Sequence, residues 1–309
     1  MVAVGTWNPG LSAGVVEAMN AIADELGEEP ASLNDFKENT LHPEYVPAEQ
    51  LFVAMDGQAV VGYCDGWLGM YGQQRGTLAI GVLPSWRCKG IGSALLARSC
   101  EYFSRKCGIV QARVPPGAHL LDRFLRTRAF VDQSATMLLR CEVTPCSCET
   151  PPGVRLVPWH TFGDKAAFRQ LHNTVFADVP NWRPITEEAM GQYTNTFWFQ
   201  GGELNFVIRG QLPIAWLWMS FDADESVGYI ESLGVIAGER RRGLGSFLLG
   251  LAQRLAAQHA CRYLELSVEV ANARALGIYR RTGFTLQREY RWLQGVPHAV
   301  LEAIRREER

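Results

Sequence analysis

Apolar positions along this chain follow two periods, and the order of those periods runs through twice. A short apolar run, AVGTW, closes on Trp7, and VVEAMNAIADEL (15–26) then has helical spacing. FVAM, an Asp56-Gly57 turn and AVVGYCDGWL predict two strands, and LAIGV (78–82) a further one. The second pass reads RLVPW up to Trp159, a helical AAFRQLHNTVF (166–176), then strands FVIRG, PIAWLWMSF and YIESLGV (229–235). Leu244, Phe247, Leu248, Leu251 and Leu255 then fall on one face of a long helix. YLELSVEV predicts a strand and ARALGIYRRTGF a helix, with closing strands expected near 285–293 and 299–305.

Landmarks keep their order and spacing between the passes. Phe52-Val53 finds an echo in Phe206-Val207, Arg87 in Arg240 and Phe130 in Phe284, so duplication of one domain is the simplest account. Between the copies CEVTPCSCETPPG (141–153) has neither period, which sets expected domains of 1–147 and 151–309. Strands mixed with helices in this order indicate an α/β fold of the α+β mixed-sheet kind, with helices on the sheet faces.

Composition narrows the function classes. With 309 residues, 47% hydrophobic and 20% charged, each half is long enough for its own core without staples. A net charge of −2 argues against nucleic acid as partner. MVAVGTWNPG lacks the pattern of a secretory signal, and no apolar run is long enough to span a membrane. Eight cysteines include no CxxC pair, and Cys146-Ser147-Cys148 has no companion at zinc spacing. The six histidines likewise show no metal spacing. Reduced thiols, no metal and a cytoplasmic location are expected.

The chemistry is carried by ERRRGLGSFLL (239–249) and its earlier counterpart WRCKGIGSALL (86–96). A loop that passes through Arg-x-x-Gly-x-Gly into a helix presents unpaired N–H groups and the positive helix end, which suit a phosphate. Gly243 and Gly245 are expected to let an anion approach the backbone, with Arg240 and Arg242 adding charge. A Rossmann fingerprint fails at Leu248, and no P-loop Gly-Lys-Ser/Thr is present.

Val235…Arg240…Gly243…Gly245 resembles the acetyl-CoA pyrophosphate loop of the GNAT superfamily of N-acetyltransferases. VEVANARALGIYRRTGF (268–284) resembles its second signature. The resemblance is fuller over 155–305 than over 1–145, and implies two tandem GNAT-like domains, each with a mixed, mostly antiparallel sheet. The tandem layout is similar to that of the mycothiol synthases, on stretches such as LHNTVFADVPNW (171–182) and VEVAN. That likeness speaks to architecture rather than to substrate.

The resemblance implies acetyl-CoA bound by Leu233, Val235, Arg240, Arg241, Arg242, Gly243, Leu244, Gly245 and Ser246. Asn272 is expected either on the pantetheine arm or as a helix cap. Glu231, expected to share a strand face with Leu233, Val235 and Tyr229, is the candidate base, and Tyr279 the candidate acid for the departing thiolate. Tyr229 and Glu269 are candidate substrate contacts. The expected reaction is acetylation of the primary amine of a small molecule such as an amino sugar, amino acid derivative or antibiotic, by a monomer or homodimer. Protein lysine or N-terminal acetylation and a non-catalytic acyl-CoA sensor are the alternatives.

The first copy keeps Val82, Arg87, Lys89, Gly90, Gly92 and Ser93, a second candidate coenzyme site. Counting along it places Leu78 where the second copy has Glu231, Leu125 for Tyr279, Ala118 for Asn272 and Ala129 for Gly283. Catalysis is therefore expected in the second domain alone.

Overall fold

The structure, a computed structural model, describes residues 2–41, 45–69, 75–144, 148–177, 184–194, 199, 201–307 and 309. The chain forms two compact units, Met1–Ser134 with Tyr290–Arg309, and Ala135–Glu289.

In the first unit β1 (Ala3–Thr6) precedes helices α1 (Ser12–Leu26), α2 (Leu33–Asn39) and α3 (Pro47–Gln50). Strands β2 (Leu51–Asp56), β3 (Ala59–Leu68) and β4 (Arg75–Val82) follow as an antiparallel meander, with β1 on the edge. Helix α4 (Ile91–Phe103) crosses to β5 (Ile109–Val114), which runs parallel to β4, and α5 (His119–Arg126) follows.

The chain then leaves as β6 (Val131–Glu142). The second unit repeats the plan with β7 (Arg155–Pro158), α6 (Trp159–Phe162), α7 (Lys165–Phe176) and α8 (Glu187–Tyr193). Its sheet continues with β8 (Glu203–Arg209), β9 (Leu212–Asp222) and β10 (Val227–Val235). Helix α9 (Leu244–Gln258), strand β11 (Tyr263–Glu269) and helix α10 (Ala273–Arg281) complete it, with β10 and β11 parallel. The chain closes with β12 (Thr285–Gly295) and α11 (Pro297–Glu307).

Two expectations are corrected. The repeats exchange their closing strands, so neither unit follows the expected division at 147 and 151. Thr136–Glu142 of β6 pairs antiparallel with β11, whereas Arg291–Gly295 of β12 pairs antiparallel with β5. The buried side chains decide the exchange: Leu139 and Cys141 lie in the second unit's core, and Leu293 in the first unit's. Residues 299–305 form no strand. Val300, Leu301 and Ile304 are buried at helical spacing, and Pro297 suits a helix start. Of the expected linker, 145–147 (with Cys146 and Ser147) lies outside the described residues. Cys148 packs against the second core, and Thr144 donates its N–H to Gln253.

Leu244, Phe247, Leu248, Leu251 and Leu255 of α9 are all buried against β11 and β9 residues. At about 1.5–3 kcal/mol for each large apolar side chain removed from water, this stripe fixes the helix on the sheet. The other sheet face of this unit carries an aromatic cluster in which Phe168 of α7 meets Phe206 and Trp216.

Candidate active site

Strand β10 positions the site through one irregularity. Along β9 the pairing runs Tyr229↔Ser220 and Ile230↔Met219, then Ser232↔Trp218, which leaves Glu231 as an extra residue in a β-bulge. Ile230, Leu233 and Val235 pack on the α9 side of the sheet. Ser232 and Gly234 lie on the other face, where Ser232 accepts from Trp216 Nε1 (3.0 Å) and a Cβ on Gly234 would strike the Trp216 ring. Glu231 lies on that same face, accepting a 2.5 Å hydrogen bond from Ser220 Oγ. The bulge therefore separates Glu231 from Leu233 and Val235, with which simple alternation had grouped it. It keeps Tyr229 on Glu231's side of the sheet, its hydroxyl donating to Glu225 (3.2 Å).

The same face lies open at a fork. Strands β10 and β11 pair only from Val227↔Tyr263 to Tyr229↔Glu265, after which β10 continues to Val235 without β11. The β11-facing edge of Ile230–Val235 thus offers backbone groups with no strand partner among the described residues. Burial raises the Glu231 carboxyl above its usual value, opposed by the hydrogen bond from Ser220. Its side chain still reaches solvent, so it titrates from an accessible position.

Beyond β10 the loop turns through Arg241 (φ 63°) and Gly243 (φ 82°) into α9. Gly243 caps the helix without a side-chain bond, and the first helical bond runs from Phe247 N to Gly243 O. The N–H groups of Leu244, Gly245 and Ser246 precede that bond and point out of the helix end. A Cβ at Gly243 would meet nothing within 4 Å, so glycine at this position answers to the left-handed φ and not to crowding.

Gly245 has a different reason from the expected one. A Cβ there would meet Ile278 of α10 at 3.0 Å, so this glycine serves close helix packing. Arg240 also differs from expectation: its Nε donates to Val235 O (3.0 Å) and an Nη to Val175 O (3.3 Å), holding the loop to β10 and α7. Arg241 and Arg242 are exposed, and Arg242 makes a loose 3.5 Å ion pair with Glu239.

Asn272 caps α10, its side chain accepting from Ala275 N (3.1 Å). Tyr279 packs on the second core with its ring 5.7 Å from Phe284, and burial pushes its phenol up to about 12. Among the described residues that hydroxyl has no hydrogen-bond partner. Glu269 is exposed on the fork's face of β11.

The first unit repeats the loop backbone but not the site. Cys88 (φ 58°) and Gly90 (φ 77°) reproduce the turn, and Arg87 Nε donates to Val82 O (2.9 Å) as Arg240 does to Val235. Arg87 is further held by both oxygens of Glu25, and Lys89 lies 4.5 Å over the Trp86 ring. A Cβ at Gly92 would crowd Phe124, the counterpart of the Gly245–Ile278 contact. Ser93 Oγ accepts from Arg128 (3.0 Å), which also binds the Glu307 carboxylate of α11. Ser246, by contrast, is exposed.

Strand β4 has no bulge: Ala79↔Asp65 and Leu78↔Gly66 follow without a break. Leu78 therefore corresponds to Ile230, both buried, and Glu231 has no counterpart at all. Leu125 does stand for Tyr279, since Phe130 N bonds Leu125 O as Phe284 N bonds Tyr279 O. Ala129 keeps the left-handed φ (63°) of Gly283 (89°).

The comparisons with known proteins agree with this geometry. An Acetyltransferase (GNAT) family model matches residues 166–284, and an Acetyltransferase (GNAT) domain model matches 47–130. The chain is a tandem GNAT N-acetyltransferase. A mycothiol acetyltransferase of Thermobispora bispora is 27% identical over 211 residues, covering 66% of this chain and 70% of the relative. The crystal structure of a GCN5-related N-acetyltransferase from Sphaerobacter thermophilus superposes with a TM-score of 0.80 over 96% of each chain, at 17% identity. A tandem GNAT protein from the clavulanic acid biosynthesis pathway gives 0.75 over 96% of this chain and 99% of the other, at 15% identity. At such identity the two structures speak for the fold. No helix among the described residues is long and apolar enough to cross a membrane.

Proposed function

We propose that the second unit transfers an acetyl group from acetyl-CoA to the primary amine of a small molecule in the cytoplasm, and that the first unit is non-catalytic. The observation that carries this reading is Glu231, turned by the bulge out of the core on the strand that leads, through the Arg241–Gly243 turn, into the start of α9. Backbone N–H groups of Leu244, Gly245 and Ser246 and the exposed Arg241 and Arg242 fit a pyrophosphate. Bound there, the coenzyme supplies the acetyl group as a reactive thioester.

Glu231 accepts the proton of the acceptor ammonium, directly or through water, and Ser220 orients the carboxylate. The N–H groups on the fork edge of β10, which have no strand partner among the described residues, suit the developing oxyanion. Tyr279 donates a hydrogen bond to the departing thiolate. With its phenol near 12, full proton transfer to a thiolate whose acid lies near ~8.5 is uphill by about 5 kcal/mol, so donation without transfer is its role.

A panel of small primary amines and of lysine-bearing and free-N-terminal peptides, assayed for coenzyme thiol release, tests the reading. Turnover with small amines, lowered about 10²–10⁴-fold in Glu231→Gln, is expected. Turnover confined to peptides, or tight coenzyme binding with no turnover on any amine, overturns it.

A further inference from the structure

The exchanged strand brings a residue of the first repeat onto the catalytic face. Ser220 pairs with Tyr229, Tyr229 with Glu265 and Glu265 with Arg140, so one row of side chains crosses β9, β10, β11 and β6 on Glu231's face. Glu265 is only 4% exposed, and Arg140 Nε donates to it at 2.5 Å. The Arg140 guanidinium also lies 4.9 Å from the Tyr263 ring centre, and its side chain is 30% exposed. Among the described residues no other side-chain bond engages the guanidinium, so its two Nη groups are left as donors.

A buried ion pair is a poor device for stability, because an apolar pair of similar volume serves as well or better. A buried carboxylate that fixes one edge of a guanidinium, with an aromatic ring beside it, instead leaves a rigid donor fork for an incoming oxyanion. We propose that Arg140 recognises an anionic group, a carboxylate or phosphate, on the acceptor whose amine is served by Glu231. Strands β10 and β6 are two spacings apart and Glu231 lies two residues beyond the row that holds Arg140, which together separate the two backbone positions by roughly 12 Å. The acceptor class is therefore an amine whose anionic group lies several bonds away, and the first repeat determines part of the specificity of the second unit. This rests on the acetyl-transfer reading above.

The test uses matched acceptors with the full chain at saturating acetyl-CoA. One arm compares 6-aminohexanoate with 6-aminohexanamide, the other glucosamine 6-phosphate with glucosamine, which separates carboxylate from phosphate. The anionic member is expected to have a kcat/KM at least about tenfold higher in one arm, the scale of a charge-assisted bond. Arg140→Lys should reduce that ratio in part, through KM. Arg140→Gln alone strands the buried Glu265, so the pair Arg140→Gln with Glu265→Gln is used to keep the fold, and should bring the ratio near one. A preference for the neutral members, or a ratio indifferent to these substitutions, overturns the proposal. Calorimetric binding of the same pairs reads the contact without turnover. Binding that depends on Arg140 with no acetylation refutes the acetyl-transfer reading and leaves Arg140 as an anion contact. Turnover with no preference refutes Arg140 alone.

Discussion

Ser220 and Glu231 give the sharpest prediction, because their effects on rate have opposite dependences on pH. The base must be a carboxylate, so kcat/KM rises with pH through the Glu231 titration. Burial has raised that titration, and the 2.5 Å bond from Ser220 opposes the rise. Ser220→Ala removes the opposing contribution, so the acid limb should move to higher pH. A hydrogen bond to a charged group contributes ~1.5 kcal/mol at a solvent-accessible site, which makes kcat/KM about tenfold lower on the limb. On the plateau, where Glu231 is ionised in both proteins, the difference should vanish. Glu231→Gln should instead lose about 10²–10⁴-fold on the plateau, a loss that shrinks as pH falls because the limb itself is gone. Steady-state profiles with two acceptors of different amine basicity separate the enzyme's limb, which stays put, from the acceptor's, which moves. A limb that persists in Glu231→Gln, or one that Ser220→Ala shifts downward, refutes Glu231 as base.

Tyr279→Phe should lower kcat about tenfold or more with little change in the coenzyme's KM, since the phenol acts on the leaving thiolate; equal loss in both parameters by steady-state kinetics contradicts that role. Calorimetry should find one acetyl-CoA per chain, because Arg87 and Ser93 are engaged by Glu25 and by the Arg128–Glu307 pair; two sites per chain would overturn this. Gly243→Val should weaken coenzyme binding about tenfold or more by straining a φ of 82°, as read by the same titration. Asp65, buried under Tyr45 and Trp67, has its carboxyl pushed up to about 6. The folded state then holds that proton more tightly than the unfolded state does. Its contribution to stability is full below about 4 and is lost as pH rises to 6, by about 3 kcal/mol. Denaturant titrations from pH 4 to 7 should show that slope in the natural protein and lose it in Asp65→Asn.

Period and order along the chain revealed the repeat, the helix of Leu244 to Leu255 and the loop that opens it, since each reflects local spacing. The strand exchange was not legible, because β6 and β12 alternate in the same way whichever sheet edge they join. Only the cores that bury Leu139 and Leu293 distinguish the two pairings. Residues 299–305 were misread for a related reason. Val300, Leu301 and Ile304 fit a short strand or a helix until α4 is present to receive them. Arg140 and Glu265 were missed because no motif contains them; they meet only through the register of strands far apart in sequence.

The bulge at Glu231 shows that counting residues between the copies rested on an incorrect correspondence. Both copies share a register shift in the meander, between Ala54 and Met55 and between Val207 and Ile208, so that irregularity belongs to the repeated plan. The shift between Ile230 and Ser232 has no partner in β4. The first copy therefore did not exchange a carboxylate for Leu78; it has no residue at that place. Leu78→Glu would bury the acid in the core that holds Phe52, Leu95 and Val110, the face opposite to the one on which Glu231 lies in the second unit. One added residue in β10 turns a side chain out of the core while its neighbours Ile230 and Leu233 remain in it. The difference between the units is thus one of strand geometry before it is one of side-chain chemistry.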